Sequence, residues 1–226
     1  DVTIGSQPAE DRQVVIIATP ADNQIDLGTG AGQPQQLIFT HENWDEAQRI
    51  TITAVDDTDL EADHASSVIY SIAGMTDEQA YNEYEDELPT ISVPIEDNDT
   101  AEAILTAEDG SETGPGHLVF RVTLDNENKT GEPITFVLNG TGGSATPETD
   151  YATIEDVVIS IPSGVAAGEA QIGIVDDALL EGDETVTAVI GSASLPAVTI
   201  TGATASATVV DDDSAELSIT ATTPTA

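Results

Sequence analysis

The sequence predicts an all-β protein made of β-sandwiches in tandem, and three observations carry that prediction. Strand-length runs rich in Val, Ile, Ala and Leu, bounded by Gly, Pro, Asp and Asn, recur along all 226 residues. No long segment shows helical periodicity. Residues 76–84 hint at a short helix, with Thr76 placed to cap and Gln79 to reach back, but no apolar stripe follows. An acidic device also occurs twice. IVDDALLEGDET spans 174–185 and has a downstream partner, VVDDD at 209–213; ITAVDDTDLEADH spans 52–64 and has its own, IEDND at 95–99. Two copies of a paired device imply an internal repeat, and the length suits two domains of about 100 residues each.

In chain order, candidate strands in the first repeat are 11–19, 24–27, 36–40, 49–55, 65–73 and 90–95. GTGAGQP at 28–34 is a flexible turn. The run 49–55 alternates Ile50, Ile52 and Ala54 against Thr51 and Thr53, a half-buried pattern. Trp44, the only tryptophan, is expected to plug a sandwich edge. The acidic, tyrosine-bearing stretch 77–87 reads as a solvated loop, with a binding loop as the alternative. The segment DNDTAE at 97–102 then matches DDDSAE at 211–216, and each leads into an alternating strand. This sets one domain at 1–99, a second at 100–213, and the start of a further repeat at 214–226. Strands of the second domain are expected at 103–107, 117–124, 133–139, 155–161, 169–175, 184–191 and 197–210. The chain opens in what reads as mid-domain sequence and stops inside a new strand, so a longer parent is expected.

Composition excludes several functions. The 43 Asp and Glu residues face only Arg12, Arg49, Arg121 and Lys129, for a net charge of −39. Nucleic-acid phosphates need Lys and Arg, and anionic membranes would repel such a surface. There is no Cys, hence no disulfide, thiolate zinc site or cysteine nucleophile. No apolar run is long enough to span a bilayer. His41, His64 and His117 sit in no catalytic motif, no phosphate loop is present, and an enzyme is not expected. Asn128-Lys129-Thr130 and Asn139-Gly140-Thr141 fit the glycosylation acceptor pattern, which is common by chance.

The acids gather at strand ends instead of scattering as a merely solvated surface would. In the second repeat an apolar run ends at Asp176 and Asp177; Glu181, Asp183 and Glu184 follow within a few residues, and Asp211, Asp212 and Asp213 end the partner strand. Carboxylates this dense repel each other unless a cation sits among them. An all-oxygen cage of this kind suits calcium, which takes about six to eight oxygens, backbone carbonyls included.

The second domain resembles the Calx-beta family. The resemblance rests on Gly143-Ser144-Ala145-Thr146 leading to Thr149-Asp150-Tyr151, on 158–162 followed by Gly168-Glu169, on IVDDALLEGDE, and on ATVVDDD at 207–213. It implies an Ig-like Greek-key sandwich binding calcium at one end. Residue by residue it implies Asp150, Asp176, Asp177, Glu181, Glu184, Asp211, Asp212 and Asp213 as ligands, with the Leu179 carbonyl. A glutamate near the first strand completes the set; Glu112 in GSETG fits best and Glu108 is the rival. The first domain keeps Asp56, Asp57, Glu61, Asp97 and Asp99, but His64 and Asn98 replace two acids and nothing matches Asp150-Tyr151. Its site is expected to hold fewer ions, bind more weakly, or stay empty.

The function expected is a calcium-binding extender module of a bacterial cell-surface adhesin, extracellular, with Ca2+ stiffening the domains and their junctions. Its partners would be neighbouring repeats of the same chain. A sugar- or peptide-binding adhesin tip and a regulatory calcium sensor are the alternatives.

Overall fold

The computed structural model of the chain describes residues 1–73, 88–114 and 116–220. Among these residues there is no helix. The segments 76–84 and 77–87, read above as a hint of helix and as a solvated or binding loop, lie outside the described residues. The chain divides into two compact units: Asp1–Asp57 with Ala62–Asn98, and Thr58–Glu61 with Asp99–Ala226.

In the first unit, β1 (Gln13–Pro20), β3 (Gln35–Thr40), β5 (His64–Ala73) and β6 (Ile91–Ile95) form an antiparallel sheet in the order β3-β1-β5-β6. A small ribbon pairs β2 (Ile25–Asp26) with β4 (Thr53–Ala54). The alternation at 49–55 therefore yields only a two-residue strand. Ile50 and Ile52 still pack on the core, but their backbone lies outside any named strand. The GTGAG turn is tied to Asp26, whose Oδ1 accepts the N–H groups of Gly28, Thr29 and Gly30. These bonds hold the Asp26 carboxyl below its ordinary range.

The second unit is an Ig-like sandwich of two sheets. One has the order β12-β9-β7-β14, from β12 (Ala167–Gly173), β9 (His117–Leu124), β7 (Ala101–Glu108) and β14 (Val198–Gly202). The other has the order β11-β10-β13-β15-β8, from β11 (Val157–Ile161), β10 (Ile134–Gly143), β13 (Glu184–Ile190), β15 (Thr204–Val210) and β8 (Gly110–Ser111). Period-two alternation points Leu118, Phe120, Val122 and Leu124 of β9 inward against Phe136, Leu138, Ile159, Ile161, Val186 and Ala188, all buried.

The stretch 197–210 is two strands in different sheets. The chain changes sheet at Gly202-Ala203, where the pairing with β7 carries a register shift and the Ala203 carbonyl accepts the N–H of Ile190. The first strand switches in the same way. After β7 it crosses to the other sheet as β8, which runs parallel to the end of β15. Asp109 Oδ1 accepts the Thr208 N–H at this crossing. Gly110 and Gly116 leave room for it: a Cβ on Gly110 would lie 2.4 Å from the His117 carbonyl oxygen, and one on Gly116 would lie 1.9 Å from that of Ser111.

The strand directions give the second unit two distinct poles. Segments 109–114, 144–151, 174–184 and 211–213 share one pole; turns 125–133 and 162–166 share the other. The segment 58–61 lies at this second pole. Leu60 is fully buried in the core, its carbonyl accepts the Lys129 N–H at 2.9 Å, and Asp59 pairs with the Lys129 ammonium. Asn128 is also fully buried, its Nδ2 donating to the carbonyls of Glu132 and Ile161. That burial closes the first glycosylation acceptor pattern.

Candidate metal centre

Most of the acids of the second repeat converge on the first pole. Two groups of three carboxylates form there, Glu112 with Asp211 and Asp213, and Asp150 with Glu181 and Glu184, each offering oxygens within 4.8 Å of one another.

The first group depends on the β8 crossing. The Glu112 N–H donates to the Val210 carbonyl at 3.1 Å, which seats a buried carboxylate beside the end of β15. Glu108, at the end of β7, is exposed and joins neither group. Asp211 is held from both sides: its Oδ2 accepts the N–H groups of Glu181 and Gly182, and its Oδ1 accepts that of Asp213. Asp213 Oδ2 is buried and has no hydrogen-bond partner. Asp212 is turned aside, and Thr113 donates its hydroxyl to it at 2.6 Å.

The second group depends on the loop before Tyr151. Asp150 is buried, and its Oδ2 accepts the Thr146 N–H at 2.6 Å. The Asp150 carbonyl accepts the Val175 N–H, and buried Tyr151 bridges to Ile174, so the loop is fastened to the end of β12. Glu148 holds the bend with a φ of 68° while its carboxylate accepts the Thr153 N–H and hydroxyl. A non-glycine residue there is strained, and these two bonds offset the strain and keep its carboxyl below the ordinary range.

Asp176, Asp177, Leu179 and Asp212 belong to neither group of three. Asp177 folds onto its own loop and accepts the Leu179 N–H, yet its charge is felt by Glu112, Glu181 and Asp213. In the 52–64 device and its 95–99 partner, Asp56, Asp57 and Asp97 lie in the first unit, whereas Glu61 and Asp99 lie in the second. No group of three forms among them within the described residues. Two positioning residues escaped sequence reasoning, Asp109 and Thr113. Nothing in the sequence flags them, because their partners, Thr208 on β15 and Asp212 just past its end, become neighbours only through the β8 crossing.

The electrostatics are those of a crowded anionic pole. Burial, then the charges of Asp211, Asp177, Glu181 and Asp212, push the Glu112 carboxyl up. Burial, then Asp211 and Asp212, do the same for Asp213. Glu184 is raised by its hydrogen bond to Asp150 and then by burial; Glu181 is raised by burial and then by Asp150, Asp177 and Asp211. The unit's two basic residues are engaged elsewhere, Arg121 with Glu169 and Lys129 with Asp59. The donor set is entirely oxygen and includes a buried, unpartnered carboxylate oxygen, and so it fits a hard divalent cation such as calcium.

No family model matches the chain, and neither does any curated protein. Solved structures do. The chain is similar to calcium-binding domains of Calx. The apo form of the Calx CBD1 domain aligns at 19% identity and a TM-score of 0.43, over 51% of this chain and 100% of that one. The CBD12 structure of CALX1.2 aligns at 20% identity and a TM-score of 0.42, over 50% of this chain and 44% of that one. The Calx CBD2 domain aligns at 11% identity and a TM-score of 0.39, over 49% and 86%. The fold assignment rests on the sheets and core described above.

Proposed function

We propose that the second unit is a calcium-binding sandwich and that the chain serves as a calcium-stiffened spacer in an extracellular surface protein of the adhesin type. The observation that carries the calcium reading is the pair of carboxylate groups at one pole, with Asp213 Oδ2 buried and unpartnered. Folding without metal concentrates like charges and raises the proton affinity of Glu112, Glu181, Glu184 and Asp213. A bound cation relieves that repulsion, so calcium binding couples to folding. Glu112, Asp211 and Asp213 would hold one ion, and Asp150, Glu181 and Glu184 a second. Asp177 stands close enough to be felt by both groups. The spacer reading draws on the repeated acidic devices and the repeated boundary sequence, and on the absence of Cys, which leaves metal to do the stapling.

Thermal unfolding of the chain in EDTA and in millimolar calcium, at fixed ionic strength with magnesium as control, tests the proposal. A calcium-specific rise in Tm is expected, by mass action on the folded state. An unchanged Tm would leave the acids as a solvated surface.

A further inference from the structure

The two acidic loops align without a gap, AVDDTDLEADH at 54–64 over IVDDALLEGDE at 174–184, so Leu60 corresponds to Leu180. Their surroundings are opposite. Leu60 is 0% exposed in the core of the second unit, at the pole formed by turns 125–133 and 162–166. Leu180 is 61% exposed beside Leu179 at 55%, at the other pole. We infer that Leu180 is a docking plug for a further sandwich of the second unit's kind, entering that sandwich at the corner that Leu60 fills here.

Three observations identify the occupant. The corner is specific: the Leu60 carbonyl accepts the Lys129 N–H, and Leu60 bridges in parallel to Asn128, whose buried amide pins the turn. The charges are complementary, since Lys129 is one of only two Lys or Arg residues in the second unit and it stands where an acidic loop segment arrives. The chain beyond Asp213 also repeats the sequence that opens β7, although 214–220 form no strand here. Leu217 and Ile219 fall at the positions of Ala103 and Leu105, which are 0% and 3% exposed in β7, but are themselves 86% and 87% exposed. Plug and socket lie at opposite poles of one sandwich, so the contact is head-to-tail and does not close, which is the geometry of a linear array. The Asp59–Lys129 pair would not recur, because Leu179 replaces Asp59. A second leucine would take its place at the rim.

The test fuses a second copy of residues 100–220 after Asp213 of this chain, with Glu132→Gln marking the appended copy by mass. Amide hydrogen exchange is then followed by mass spectrometry over 125–133 in both copies, in millimolar calcium and in EDTA. The appended copy is expected to protect this peptide as the second unit does. Leu180→Ser is expected to speed its exchange by at least about tenfold while the β10 peptide of the same copy stays protected. Insensitivity to Leu180→Ser in both conditions would overturn the inference. Leu60→Ser in the unfused chain keeps the question decidable if the appended copy does not fold: it must release 125–133 of the second unit, and no release would remove the basis for a plug. The inference does not rest on the metal reading, which the calcium dependence of the unfused chain's Tm decides separately.

Discussion

At Glu112, stability and the proposed metal binding would pull in opposite directions. Its carboxylate is buried among four other acids that all raise its proton affinity. Without metal, Glu112→Gln should raise Tm, because it removes a buried charge without removing volume; in calcium the same change should cut the metal-induced rise. A shift of a few degrees per kcal/mol is expected for a domain of this size, about 2–8 °C. Calorimetry of the variant in EDTA and in calcium checks both signs. The pH dependence follows from the same groups. Glu112, Glu181, Glu184 and Asp213 all have folded-state pKa values above their unfolded values. The folded state therefore binds more protons in that window, and metal-free stability falls as pH rises through it. In EDTA, lowering the pH from 7 towards about 5 should raise Tm. In calcium the same change should lower Tm, because protons compete for the ligands; two melting series measure this crossing of slopes. The residue types and spacing made this chemistry legible, since acids at strand ends point to a cation. The choice between Glu112 and Glu108 was not legible, because it depends on which sheet the chain joins after Asp109.

At the scale of elements, the acidic pole is built by the β8 crossing and by the loop before Tyr151. Alternation in the sequence locates strands well where both neighbours are in one sheet, as in β9, whose bounds 117–124 match the expectation. It cannot report a sheet switch, because Val, Thr and Ala continue through Gly202-Ala203 without interruption; 197–210 reads as one strand and is two. Nor can it report β8, whose two residues pair only with a strand nearly 100 positions away. The alternation at 49–55 misleads in the other direction, since Ile50 and Ile52 pack inward from backbone that makes no extended ladder. The β8 crossing gives a sharp prediction. Gly116→Ala should cost about 1–3 kcal/mol, as overpacking against fixed backbone does, and should weaken the calcium response along with stability. Gly191→Ala, whose Cβ would meet nothing nearer than 3.9 Å, is the control and should leave both unchanged. Paired denaturant titrations with and without calcium separate the two effects.

For the whole molecule, the two units differ in what they offer a cation and can be watched separately. Trp44 is the only tryptophan and lies in the first unit, whereas both carboxylate groups lie in the second. Unfolding followed by tryptophan fluorescence should shift less with calcium than unfolding followed by far-UV circular dichroism, which sees every strand. Coincident shifts would mean that the units melt as one. The sheet switches also bear on tension. β7 and β15 sit at the two ends of the sandwich sequence, and β14 runs parallel to β7 as β8 runs parallel to β15. A pull on the two ends of such a module loads these hydrogen bonds lengthwise and together, in shear, where an antiparallel hairpin pulled from its open end would yield one rung at a time. Glu112 lies just past β8, and Asp211 and Asp213 just past β15. A cation held among them would rivet the seam that carries the force.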